Sequence, residues 1–161
     1  MLFKRKKIRL EKIKHTKENI KKIFKENIED YENYNLVYAY NREFDLEVND
    51  YIYTSLILGY DTDNMRLIIL EVDKEFQNVF NIIKLCKKDF TKAIYSKQMD
   101  EYIIYLNNKK SDKINFSLIT ENYIDTDILA FIEQSTEVDD FKDFYLDFKR
   151  KSRLKKNKGD K

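Results

Sequence analysis

The chain has 161 residues, 37% of them charged and 42% hydrophobic, and its two glycines, single histidine, single cysteine and lack of proline and tryptophan exclude most chemistry that a sequence can display. This length fits one domain, with a core large enough to need neither disulfide nor structural metal. The formal net charge of +2 divides into +9 over residues 1–25, −14 over 26–148 and +7 over 149–161, an acidic body with basic ends.

Met1-Leu2-Phe3 runs directly into Lys4-Arg5-Lys6-Lys7, with no apolar stretch of the ~7–15 residues that a secretory signal needs. Ile13, Ile20, Ile23, Phe24, Ile28 and Tyr31 then recur at helical spacing. They predict a helix over about 5–32, with Thr16 as an interruption or internal cap and Asn33 and Asn35 as its end. From Leu36 the period changes to two through Tyr38, Tyr40, Phe44, Leu46 and Val48. A β-rich run, Tyr51–Gly59, is followed by Tyr60-Asp61-Thr62-Asp63-Asn64 and a second run, Met65–Val72; two such runs about a Gly/Asp/Asn cluster are the pattern of a hairpin with a longer loop.

Further strands are predicted at Val79–Leu85, Tyr102–Leu106 and Ile114–Ile119, with Asn107–Asp112 as a second hairpin turn. Ile128, Leu129, Phe131 and Ile132 read as a short helix or a last strand. Val138, Phe141, Phe144, Tyr145 and Phe148 mark the apolar face of a closing helix, with Ser135 or Thr136 as its N-cap. Acids at its start and Lys149, Arg150 and Lys151 at its end suit the helix dipole. The fold class is therefore α+β: an N-terminal helix, an antiparallel meander of six or seven strands forming a small barrel or a bent sheet, and a C-terminal capping helix. Residues 1–34 form a basic helix or arm, 35–150 a single domain, and 151–161 a disordered basic tail.

The run Leu58-Gly59-Tyr60-Asp61-x-x-Asn64-x-Arg66-Leu67-Ile68-Ile69-Leu70, then Phe80-Asn81-Ile82-Ile83-Lys84-Leu85 and the helix at 137–151, resembles bacterial pleckstrin-homology-like domains. The resemblance spans about residues 36–150. It implies a strand-rich barrel closed by one C-terminal helix, and a binding or scaffold module rather than an enzyme. It carries no fixed ligand residues onto this chain, and the N-terminal helix is an addition to that fold.

No catalytic or cofactor set assembles. His15 sits among Lys12, Lys14 and Lys17 without a nucleophile beside it, and reads as a solvent-facing helical residue. Cys86 precedes Lys87 and Lys88, which favour a thiolate, but it reads first as a half-buried strand-end cysteine. One Cys and one His cannot build a zinc site without carboxylates. Gly59 and Gly159 cannot write a phosphate-binding loop. Asp61-Thr62-Asp63 and Asp125-Thr126-Asp127 open like a calcium loop but lack its turn glycine and bidentate glutamate. Glu71-Val72-Asp73-Lys74 approaches a magnesium nuclease pattern, yet its lysine falls one place from where that pattern needs it. The expectation is no enzyme, no metal and no cofactor.

The low Arg and Ala content matches an AT-rich genome, so the abundance of Lys, Asn, Ile and Tyr is weak evidence for function. Three readings remain open. The first is an interaction or scaffold module with a protein partner. The second is nucleic-acid binding through the terminal cations Lys4, Arg5, Lys6, Lys7, Arg9, Lys149, Arg150, Lys151, Arg153, Lys155 and Lys156. The third is reversible attachment to anionic membrane through residues 2–10, where Leu2, Phe3, Ile8 and Leu10 accompany the cations. A lone cysteine and the absence of any long apolar run place the chain in the cytoplasm, at the inner face of the membrane under the third reading.

Overall fold

The computed structural model describes residues 1–107, 112–124 and 128–159, with side chains as far as Arg150. Helix α1 (Leu2–Asn27) leads through a 3-10 turn at Tyr31–Asn33 into β1 (Asn35–Asp45), β2 (Asp50–Asp61), β3 (Arg66–Val72) and β4 (Val79–Leu85). Strands β5 (Phe90–Ser96), β6 (Glu101–Leu106) and β7 (Lys113–Leu118) follow. A short pair, β8 (Glu121–Asn122) and β9 (Ile132–Glu133), then precedes helix α2 (Ser135–Gly159).

The main sheet is antiparallel, seven-stranded and ordered β4-β3-β2-β1-β7-β6-β5. It consists of two meanders, β1 to β4 and β5 to β7, joined only where Ala39 pairs with Leu118 and Tyr40 with Ser117. Strands β4 and β5 stay at opposite edges, so the sheet does not close into a barrel. The α+β class and the helix–sheet–helix order stand as expected.

Strands β1 to β3 are apolar at consecutive positions because both faces of the sheet are covered. Val37, Leu58, Tyr60, Leu67 and Ile69 face one way and pack with Val138, Phe141, Phe144, Tyr145 and Phe148 of α2. Tyr38, Ile57, Ile68 and Leu70 face the other way and pack with Ile20, Ile23 and Phe24 of α1 and with Ile132 of β9. Side chains alternate along a strand, so one continuous apolar run serves two cores.

Tight hairpins usually recruit glycine, which this chain scarcely has. Aspartate carboxylates shape several of its turns instead. Asp45 accepts from the Glu47 N–H, and Asp61 from the N–H groups of Asp63 and Asn64. The left-handed position falls to Asn49, Met65 and Asp100 in the β1–β2, β2–β3 and β5–β6 turns, and to Phe76 between β3 and β4. Asp61 thus shapes a turn, while the second such motif, 125–127, lies outside the described residues.

Several boundaries differ from expectation. Helix α1 ends at Asn27 rather than near 32, because Ile28 turns extended (φ −125°, ψ 117°) and buries its side chain. The Asn27 amide closes that end on the Ile23 carbonyl at 2.8 Å. Thr16 does not interrupt the helix; its hydroxyl donates to the Lys12 carbonyl one turn back. Strand β2 runs past Gly59 through Tyr60 to Asp61. Strand β5 has no counterpart among the predicted strands, because a register shift between Phe90 and Lys92 breaks its alternation. The cap of α2 is neither Ser135 nor Thr136: the Gln134 carbonyl accepts the first helical bond from Val138, and the Glu133 carboxylate accepts from the Ser135 N–H at 2.9 Å. The tail expected at 151–161 carries the last turns of α2 through Gly159. Leu106 and Asp112 are bonded across the expected β6–β7 turn, whose residues 108–111 lie outside the described set.

Candidate functional site

Three surfaces offer themselves for binding: a projecting ribbon, a cleft and the basic arm. The ribbon is the far half of the β1–β2 hairpin. Strand β3 pairs with β2 only from Ser55 onward, and β7 meets β1 only at Ala39 and Tyr40. Beyond Asn41, whose amide still donates to the Asn115 carbonyl of β7 at 2.8 Å, residues 42–54 therefore extend as a two-stranded projection with no further strand paired to it. Arg42 pairs with Tyr53 and Phe44 with Tyr51, so these four share one face. Tyr40 and Tyr53 lie 6.0 Å apart, Phe44 and Tyr51 meet edge to face at 5.3 Å, and the Arg42 guanidinium sits 4.6 Å from the Tyr51 ring centre. Phe44 and Tyr51 are about half exposed, and Leu46 at the tip is 86% exposed. Glu43, Asp45, Glu47 and Asp50 surround this aromatic row with negative charge.

The cleft, of about 580 Å³, lies where α1, the start of β1 and the start of α2 converge. Its floor includes Ile20, Phe24, Leu36 and Ile132, and Lys17, Lys21 and Lys25 line the α1 wall. Lys17 crosses to Glu137 of α2 at 2.8 Å, and Lys25 lies 5.3 Å from the Tyr31 ring centre. On the α2 side, burial together with Asp140 and Glu137 pushes the Tyr60 hydroxyl up to about 12. Gln134 closes one end. Its Oε1 accepts from the Tyr38 N–H at 2.8 Å, and its Nε2 donates to the carbonyls of Tyr38 at 2.8 Å and Ile119 at 2.7 Å.

The basic arm is the exposed first part of α1, carrying Lys4, Arg5, Lys6, Lys7 and Arg9. Ile8 and Leu10 do not share a face, since two residues turn a helix by about 200°. Phe3 and Leu10, seven apart, do share one, to within about 20°. Arg9 stacks over Tyr123 at 4.3 Å, fixing the arm to the end of β8. At the other terminus Lys149 is half buried and Arg150 is exposed, 4.0 Å from Asp147; the side chains of Lys151, Arg153, Lys155 and Lys156 lie outside the described residues. The two basic groups belong to different helices on opposite faces of the sheet.

The other residues with chemical potential are engaged in structure. Arg66 bonds Asp61 through Nη2 at 2.6 Å and Asp30 through Nη1 at 2.7 Å, and lies 4.9 Å from the Tyr34 ring centre. Asp73 is held in the β3–β4 turn by the N–H groups of Gln77 and Asn78. His15 is exposed, 3.3 Å from the Asn19 amide. Cys86 is half buried just after β4, and its N–H donates to Asp89 at 2.7 Å. Among the described residues no group of three or more His, Cys, Asp and Glu side chains is placed to hold a metal, and no helix is long and apolar enough to cross a membrane.

Sequence reasoning marks the termini and misses both the ribbon and the cleft. The ribbon leaves a signal, the alternation of Arg42 and Phe44 opposite Tyr51 and Tyr53, but not that neighbouring strands stop short of it. The cleft leaves none, since its walls come from segments more than 100 residues apart. Comparison with protein-family models, with curated proteins and with solved structures finds no match to this chain.

Proposed function

We propose that this chain is a non-enzymatic protein-interaction module that docks its partner on the projecting β1–β2 ribbon. The observation that carries this reading is the exposed cluster of Arg42, Phe44 and Tyr51 on a projection that serves no core, with half-buried Tyr40 and Tyr53 packed together at its base. Aromatic and Arg side chains dominate binding hot spots because they bury much area at a small entropic cost. The surrounding acids call for a partner with a basic rim. A pleckstrin-homology-like architecture is part of the proposal. It is supported by the four-strand and three-strand meanders with their C-terminal helix, although β4 and β5 remain apart.

The test is a pull-down from the native host with and without nuclease, using the wild-type chain and the Phe44→Ala/Tyr51→Ala double variant. A set of proteins retained after nuclease and lost from the folded double variant is the expected result. Equal capture by both forms overturns the ribbon as the docking surface, and turnover of nucleotide or phosphoester substrates overturns the non-enzymatic reading.

The shared face of Phe3 and Leu10 within the cations of the arm favours a second reading, peripheral association with anionic membrane. Liposomes rich in anionic lipid then sediment the full chain, neutral liposomes do not, and deletion of residues 1–10 abolishes the effect. Nucleic-acid binding draws on the same cations, and gel shifts at low salt decide between phosphate backbone and lipid.

A further inference from the structure

Strand β1 has a free stretch of edge inside the cleft. Both the N–H and the C=O of Tyr38 point away from β2, since both bond to the Gln134 side chain. In an antiparallel ladder, alternate residues direct their backbone groups to the same side. The N–H and C=O of Leu36 therefore also point away from β2. No described strand pairs with β1 on that side at Leu36, because β7 pairs with β1 only at Ala39 and Tyr40. Leu36 lines the cleft of about 580 Å³, within the size range of about 300–1,000 Å³ typical of ligand sites.

Gln134 indicates what fits this edge. Its side-chain amide offers Tyr38 one donor and one acceptor, the pair that a residue of an added strand would offer. A strand laid against Leu36 would continue what Gln134 begins. Its side chains would alternate between the two faces of the sheet, one set toward α1 and the other toward α2. On the α1 side they would meet Lys21 and Lys25, both exposed and placed four residues apart on one flank of the helix, above Ile20 and Phe24. On the α2 side they would lie near Tyr60 and Val37.

We infer that the cleft captures a short extended segment of a partner protein, which adds to the β1 edge at Leu36 and alternates acidic residues toward α1 with apolar residues toward α2. This surface is separate from the ribbon, so each can fail without the other. The probe is a fluorescently labelled peptide Glu-Val-Glu-Val-Glu, titrated into the full chain alongside Lys-Val-Lys-Val-Lys and a Glu/Val peptide N-methylated at alternate amides. The expected results are at least tenfold tighter binding of the Glu/Val peptide than of its Lys counterpart, and loss of binding for the N-methylated form. Hydrogen exchange at the Leu36 amide should slow at least tenfold at saturation. The exposed double substitution Lys21→Glu/Lys25→Glu should reverse the charge preference, while Phe44→Ala/Tyr51→Ala should leave it unchanged. No binding up to millimolar peptide, unchanged exchange at Leu36, or equal affinity for both charge types overturns the inference.

Discussion

Gly59 faces the ring of Phe24 across the contact between β2 and α1, and a Cβ built there would lie 2.4 Å from Phe24 Cζ and 2.5 Å from Cε2. Phe24 is 1% exposed, so its ring has nowhere to move without reopening the core. Gly59→Ala is expected to destabilise the chain by roughly 1–3 kcal/mol, the usual cost of overpacking, measured by urea unfolding. Asp61 makes a different residue-scale prediction. Burial raises its pKa, but the bonds from Asn64 and Arg66 outweigh burial and hold it below the ordinary 3.8. A carboxylate lowered in the folded state adds stability above its unfolded pKa and loses it as pH falls through the folded value. Wild-type stability should therefore drop below pH 3.8. Asp61→Asn should flatten that drop and cost about 1–3 kcal/mol at pH 7, since it disturbs a buried charged network. Urea titrations at neutral and acid pH check both statements. The turn around Asp61 is legible in the sequence because an Asx turn is written in a few neighbouring residues. The role of Gly59 is not, because it depends on Phe24, remote in sequence.

Elements are legible where one period runs without interruption. The face Val138, Phe141, Phe144, Tyr145 and Phe148 of α2 and the pairing of β2 with β3 both follow from local pattern. The end of α1 misleads because Ile28 keeps helical spacing while its backbone is extended, and its burial in the α1 core explains that conformation. Strand β5 escapes detection because its register shift sets Phe90 and Ala93 three residues apart on the buried side. Helix α1 itself divides into two parts. Ile20, Ile23 and Phe24 are buried, whereas its first eleven residues are exposed. The first turns therefore add little to folding, and their apolar Leu2 and Phe3 contribute to no core. Deletion of residues 1–8 should change stability by less than about 1 kcal/mol, measured by thermal and urea unfolding. A larger loss would mean that the arm packs onto the body more extensively than Arg9 on Tyr123 indicates.

On the scale of the whole molecule, the sheet separates an aromatic-rich core under α2 from a mainly aliphatic core under α1, and Gln134 ties the two together. It is 1% exposed and stands between β9 and α2, with its side chain bonded to β1 at Tyr38 and to the Ile119 carbonyl just after β7. Tyr38 continues the link: its hydroxyl meets Ser55 at 2.9 Å and accepts from the Ala130 N–H, and its ring contacts Phe76 edge to face. Gln134→Leu keeps the volume but leaves the Tyr38 N–H, the Tyr38 C=O and the Ile119 C=O without this partner. At about 1–3 kcal/mol for each buried group left unpaired, the expected loss is about 3 kcal/mol or more. The manner of unfolding tests the coupling. If Gln134 and β1 join the two cores into one cooperative unit, the variant melts in a single calorimetric transition at lower temperature, with hydrogen exchange accelerated alike at Ile57 and Leu58, which face opposite cores. If exchange accelerates on one face alone, or two transitions separate, the cores are independent and Gln134 serves only the local joint between β9 and β1.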